Sequence, residues 1–143
     1  MTTNHLRATV LMRALRACID GDRAILTESF SEDVVVWSPG FSGRGLSELI
    51  SGLNGIWEAF SQPDAELTPL EVGGDYGCVE WCLTLIHSGR LVLSDEWVIE
   101  ATGLPVVVHG VTVAEFEDER ICALRQYWNE FTLLEQLGMA LRH

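Results

Sequence analysis

From Tyr76 to Asn129 the chain reads as four long strands in succession, near 76–87, 91–101, 105–116 and 121–129. Turn residues separate them: Ser88-Gly89, then Thr102-Gly103-Leu104-Pro105, then Glu117-Asp118-Glu119. β-Branched and aromatic residues recur through the runs, as a pleated, half-buried surface favours. Strands joined by such short turns pair as antiparallel neighbours. A weaker strand near 64–72 precedes them, and Pro69 assigns it to an edge, because proline has no N–H to give to a ladder. A sheet of this size cannot stand bare and needs helices to cover it.

The first half of the chain supplies that cover. Leu6, Val10, Leu11, Ala14, Leu15 and Cys18 recur at helical spacing and stop at Asp20-Gly21, where glycine can take the left-handed conformation that ends a helix. Asp22 is placed to cap a short second helix through Phe30, since its carboxylate accepts the free amides of a first turn. Val34 to Trp37 form a strand closed by Ser38-Pro39-Gly40. The phrase Gly40-Phe41-Ser42-Gly43-Arg44 lacks the second glycine of a nucleophile elbow and reads as a turn. Leu46, Leu49, Ile50, Leu53, Trp57 and Phe60 then mark an amphipathic third helix.

This order gives an α+β fold: three helices of the N-terminal half packed in a strongly curved mixed or antiparallel sheet, forming a cone with an internal cavity. At 143 residues, a single domain over 1–143 is expected.

Charge narrows the partners. Nine arginines against 21 acidic residues leave a net charge of −12, which phosphate backbones and anionic lipids repel. Neither nucleic acid nor a membrane is an expected partner. Arg13 and Arg16 interrupt the apolar residues of the amino terminus, and no run of about 18 apolar residues exists. A cytoplasmic location is the expectation. Cys78 and Cys82 share one predicted strand about 13 Å apart, too far for a disulfide, so they read as reduced core thiols.

Alternation along the strands nominates a site. Over 91–100 the odd positions Leu91, Leu93, Asp95, Trp97 and Ile99 form the apolar face, with Asp95 its one charge. Hairpin pairing sets Asp95 opposite Cys82 on one side and Thr112 on the other, with Glu80, Trp97 and Gly110 as the next row. A carboxylate beside a thiol and a hydroxyl, beneath an apolar helix, suits general acid or base work. The plainer reading is an acid held by a buried partner.

Gln126 lies between Leu124 and Trp128 on the final strand, where an amide can orient a carbonyl, a water or a carboxylate but cannot shuttle protons. Trp57, Trp97 and Trp128 suit the lining of a flat apolar ligand, or a plain core. Ser38, Glu80, Cys82, Thr84 and Thr112 complete the ligand-binding set. His87 and His109 fall on the outer face, and with no histidine pair or Cys-His cluster at ligand spacing, no metal is expected.

The phrase from Gly110 to Gly138, GVTVAEFEDERICALRQYWNEFTLLEQLG, resembles the close of SnoaL-like polyketide cyclases in the nuclear transport factor 2-like superfamily. The Ile19-Asp20-Gly21-Asp22 corner, Phe30 through Pro39, Gly43-Arg44-Gly45, Glu80-Trp81 and His87 to Gly89 carry the likeness further. The resemblance implies a compact α+β cone, often a homodimer, that converts or binds hydrophobic small molecules without a cofactor. It also implies where acids would sit. In cyclases and epoxide hydrolases a working aspartate falls at Gln126, and the cyclases' second acid falls at Asn129. A ketosteroid isomerase would have its base at Ser38, its tyrosine at Ala14 and its aspartate at Thr112. A limonene epoxide hydrolase would have arginine and aspartate at about Cys82 and Thr84. This chain keeps none of these groups, so proton transfer would pass to Asp95 or Glu80.

Two readings follow. One is an enzyme that cyclises, isomerises or hydrates a polyketide- or terpenoid-like substrate by general acid and base chemistry. The other is a non-catalytic module that binds such a molecule. Two further expectations concern the sheet. The same parity turns Val79, Trp81, Leu83 and Leu85 outward, an apolar face for a second copy to cover. At the last turn, where relatives carry glycine, Glu119 is expected to take a positive φ.

Overall fold

The computed structural model describes residues 3–94 and 97–138. Helix α1 runs Thr3–Asp20 and stops at Gly21, whose φ of 77° lets its own N–H and that of Asp22 fold back onto Ala17 O. Asp22 caps α2 (Arg23–Ser29), its Oδ1 accepting the Ile25 N–H at 3.2 Å. Strand β1 (Phe30–Ser38) turns through Gly40 into β2 (Phe41–Arg44), so the expected turn at 40–44 is a short paired strand. Helix α3 (Leu46–Ala59) follows, then β3 (Phe60–Leu70), β4 (Tyr76–His87), β5 (Leu91–Ser94), β6 (Trp97–Ile99), β7 (Pro105–Glu117), β8 (Arg120–Trp128) and α4 (Glu130–Gln136).

Six strands form one curved sheet in the order β2-β1-β8-β7-β4-β3. β1 runs parallel to β8, and the other neighbours are antiparallel. Pro69 lies in β3 at the sheet edge, where Arg16 of α1 reaches the carbonyl of Ala65 at 3.1 Å.

The segment 91–101 departs from expectation. β5 and β6 make a two-stranded hairpin of their own, and β4 pairs directly with β7, from Tyr76–Glu115 to Ile86–Pro105. The two partners are 12 and 13 residues long and match along nearly their whole lengths, which strands of four and three residues cannot do. Asp95 and Glu96 lie outside the described residues.

With β7 as the true neighbour, the parity of β4 reverses. Val79, Leu85 and His87 are buried on the concave side, and Glu80 is exposed on the convex side. Both parities of β4 are rich in apolar residues, so alternation alone cannot choose the face.

The last hairpin also differs. Glu117 pairs with Arg120, and the positive φ falls on Asp118 at 57° rather than on Glu119. Aspartate tolerates that conformation better than glutamate. A bulge between Glu115 and Phe116 leaves Cys122 as the extra residue, its thiol donating to Glu115 O.

Two clusters fill the concave side. Leu11, Leu26, Phe30, Val34, Ile121 and Leu124 centre the larger one, where α1, α2 and α3 meet β1 and β8. Ala59, Leu85, Leu91, Ile99, Val106 and Leu133 centre the smaller, where the β5–β6 hairpin and α4 cover β4 and β7. At the junction of α3 and β4, Ser88 and Gly89 both donate to Ala59 O. A side chain at Gly89 would overlap the Glu58 carbonyl, so backbone meets backbone only because this residue is glycine. Among the described residues, no helix is long and apolar enough to cross a membrane.

Candidate functional site

A cavity of about 480 Å³ opens under the helices on the concave face, a volume that suits a small ligand. α1 contributes Leu15, Cys18, Ile19 and Asp20; α3 contributes Leu53, Ile56 and Trp57. Phe60, Ala65 and Leu67 of β3, Trp81, Leu83 and Leu85 of β4, and Gln126 of β8 form the facing wall. The amphipathic stripe of α3 and the concave parity of β4 are therefore two sides of one apolar chamber.

Its aromatic walls are fixed from behind. Trp57 Nε1 donates to Cys18 O at 2.7 Å, tying α3 to the end of α1. Trp81 Nε1 donates to Thr112 Oγ1 at 2.9 Å, and Thr112 is wholly buried. Gly110 pairs with Trp81, and a Cβ there would overlap the indole, so the ring lies across the glycine backbone. Both indole donors are thus used internally, and the rings offer a ligand hydrocarbon surface rather than hydrogen bonds.

The ionisable and amide side chains of the lining are then few. Burial pushes the Cys18 thiol up to about 12, so it stays protonated and is a poor nucleophile. Gln126 stands directly opposite Thr112, which stands opposite Val79, placing the amide in the row behind the Trp81 indole. Asp20, the last residue of α1, is a solvent-exposed acidic residue of the lining. Among the described residues it has no ion-pair partner.

Of the residues nominated from sequence, Gln126 and Trp57 line the cavity. Thr112 lies behind Trp81 and positions it. Ser38 shares the concave parity of Val34 and Val36 at the end of β1, where it pairs with Phe41 of β2, and it is not among the lining residues. Trp128 pairs with Gly110 and packs against the smaller cluster. Trp97 opens β6, and Asp95 falls outside the described residues.

Glu80, Cys82 and Thr84 are not brought to the cavity. Their parity faces the convex side, where Cys82 pairs with Glu66 and His109 and its Sγ lies 3.9 Å from His109 Nε2. Cys82 and Thr112 do not share a row, because Thr112 pairs with Val79 and Gln126 while Cys82 pairs with Glu66 and His109. The outward face drawn from Val79, Trp81, Leu83 and Leu85 is the inner one. The convex face instead exposes Val35, Val107 and the tilted ring pair of Trp37 and Tyr127, centroids 5.4 Å apart.

His87, expected outside, is fully buried. Its Nδ1 accepts the Thr102 N–H at 3.2 Å and lies 2.9 Å from Thr102 Oγ1, which in turn accepts the Leu104 N–H, so the ring holds the 102–104 turn. Among the described residues, no three His, Cys, Asp or Glu side chains converge as metal ligands do.

Sequence reasoning missed Asp20 and Trp81. The signal for Asp20 was its place at the end of the Leu15-Cys18-Ile19 stripe. Trp81 was hidden by the parity of β4.

Residues 11–124 match the SnoaL-like domain. No curated protein matches the chain at a significant level. Among solved structures, AclR of Streptomyces galilaeus is similar at 19% identity and a TM-score of 0.80, over 97% of this chain and 100% of that one. A candidate SnoaL-like polyketide cyclase from Jannaschia sp. CCS1 gives 16% and 0.84, over 99% and 98%. An LEH-like epoxide hydrolase from M. tuberculosis gives 17% and 0.71, over 96% and 92%. Identities this low speak for a shared fold.

Proposed function

Because the chain belongs to the SnoaL-like family of α+β cones, we propose that it takes a hydrophobic polyketide- or terpenoid-like molecule into the cone and cyclises, isomerises or hydrates it by proton transfer, without a cofactor. The observation that carries this reading is the cavity of about 480 Å³ whose walls are aliphatic and aromatic and whose two indole donors are already satisfied. Gln126 orients a carbonyl or hydroxyl of the ligand. Asp95 is the proposed proton carrier; the sequence alone supports it, as the one acid on the apolar parity of its segment. The working unit is a cytoplasmic homodimer that covers Trp37 and Tyr127 of the convex sheet.

The second reading, a binding module without chemistry, draws on the amide at Gln126 and the protonated thiol of Cys18. Native mass spectrometry of freshly purified protein tests the shared core of both, with a retained apolar molecule as the expected result. With that molecule in hand, the enzyme reading expects turnover that Asp95→Asn abolishes, whereas the module expects affinity without turnover. A protein that retains nothing, and whose tryptophan fluorescence no polycyclic probe quenches, sinks both.

A further inference from the structure

Three features of the mouth of the cavity belong together. Asp20 contributes a carboxylate with no ion-pair partner among the described residues. The indole of Trp57 packs against Gly21, the next residue, since a Cβ built on that glycine would meet Trp57 Cε2 at 3.6 Å. Asp20 is also the last residue of an 18-residue helix, with no basic residue in the final turn to offset the negative end of the helix dipole.

Neither of the nearest arginines in the sequence pairs with Asp20, although Arg16 is held at a residue of the cavity wall. Arg16 donates to Ala65 O, and Arg23 donates to Asn54 Oδ1 at 3.4 Å. No arginine, lysine or histidine is among the lining residues. An acidic residue and an indole in the lining of one apolar chamber, with no cationic side chain among the lining residues, make up the chemistry that recognises a protonated amine. The same arrangement disfavours a carboxylate or phosphate on the ligand, which would lose hydration and meet a like charge.

We infer that the cavity takes a lipophilic amine: an apolar ring skeleton that fills the chamber, with a protonated nitrogen held at the mouth between the Asp20 carboxylate and the Trp57 indole. Any polar group at the inner end is neutral and meets the Gln126 amide. The inference rests on the cavity being a ligand site and adds the charge of the ligand. The preference is a selectivity of several-fold to about tenfold rather than many decades, because Asp20 is open to solvent and salt screens it.

Three probes on one skeleton separate the claims: 9-anthracenemethanol, 9-(aminomethyl)anthracene and 9-anthracenecarboxylate, titrated at pH 7 with tryptophan quenching as the readout. The expected order of affinity is amine, then alcohol, then carboxylate. Asp20→Asn is expected to erase the margin between amine and alcohol, and Asp20→Glu to keep it. If the alcohol binds and the amine binds no better, or if Asp20→Asn leaves the margin intact, the amine inference is overturned while the cavity reading stands. If none of the three binds, the cavity reading falls and takes this one with it.

Discussion

The indole of Trp81 lies across the backbone of Gly110 and donates its N–H to Thr112 Oγ1 at 2.9 Å, so two residues of β7 hold one wall of the cavity in place. Thr112→Val keeps the shape and removes the acceptor. The expected loss is about 1 kcal/mol, read as a lower urea midpoint with an unchanged slope, together with altered tryptophan emission. An unchanged midpoint and spectrum would show that the ring is held by packing alone.

Gly89 and Gly73 offer a matched pair. An added methyl overlaps the Glu58 carbonyl at Gly89 but meets nothing within 4 Å at Gly73. Gly89→Ala is expected to cost roughly 3 kcal/mol or more, because two backbone segments must separate, and Gly73→Ala well under 1. Thermal melts of the two variants check this. Equal melting temperatures would mean that the junction of α3 and β4 is looser than its geometry.

Cys18 sets an alkaline limit. Its thiol, near 9 when exposed, is pushed up to about 12 by burial, so the folded chain keeps a proton that the unfolded chain releases. The unfolded state then binds fewer protons between pH 9 and about 12, and stability falls as pH rises through that window. The contribution is intact below pH 9 and declines by up to about 1.4 kcal/mol per pH unit above it. Cys18→Ala is expected to flatten that part of the profile in chemical denaturation at pH 8 to 11. Parallel profiles for parent and variant would refute the assignment.

The convex face carries the dimer proposal. Trp37 and Tyr127 are 45% and 48% exposed, high for two aromatic side chains in contact in mid-sheet. Sedimentation at micromolar concentration is expected to give a dimer for the parent and a monomer for Trp37→Glu, with the fold intact by circular dichroism. A parent that sediments as a monomer ends the proposal.

The helices and their boundaries were legible because local chemistry decides them. The stripe from Leu46 to Phe60, the cap at Asp22 and the stop at Gly21 each depend on residues within a few positions. The edge role of Pro69 was legible for the same reason. What misled was distance along the chain: joining strands in sequence order inserted 91–101 between β4 and β7, and that one neighbour turned Glu80, Cys82 and Thr84 inward and Trp81 outward. Gln126 and Trp57 survived because their faces were set without β4. Asp20 stood in view as a helix terminus, and only the packing of Trp57 against Gly21 turns it into part of a mouth.

The parallel pairing of β1 with β8 has a consequence for how the molecule is made. β1 is synthesised early and finds its inner neighbour only when β8 has emerged, whereas β3 and β4 can pair as soon as both exist. On the ribosome the strand Phe30–Ser38, with Val35 and Trp37 on one side and Val34 and Val36 on the other, waits with only β2 beside it. Such an unpaired apolar edge is what chaperones recognise and what aggregates when they are scarce. Completion of β8 is therefore the step that commits the nascent chain to its native sheet.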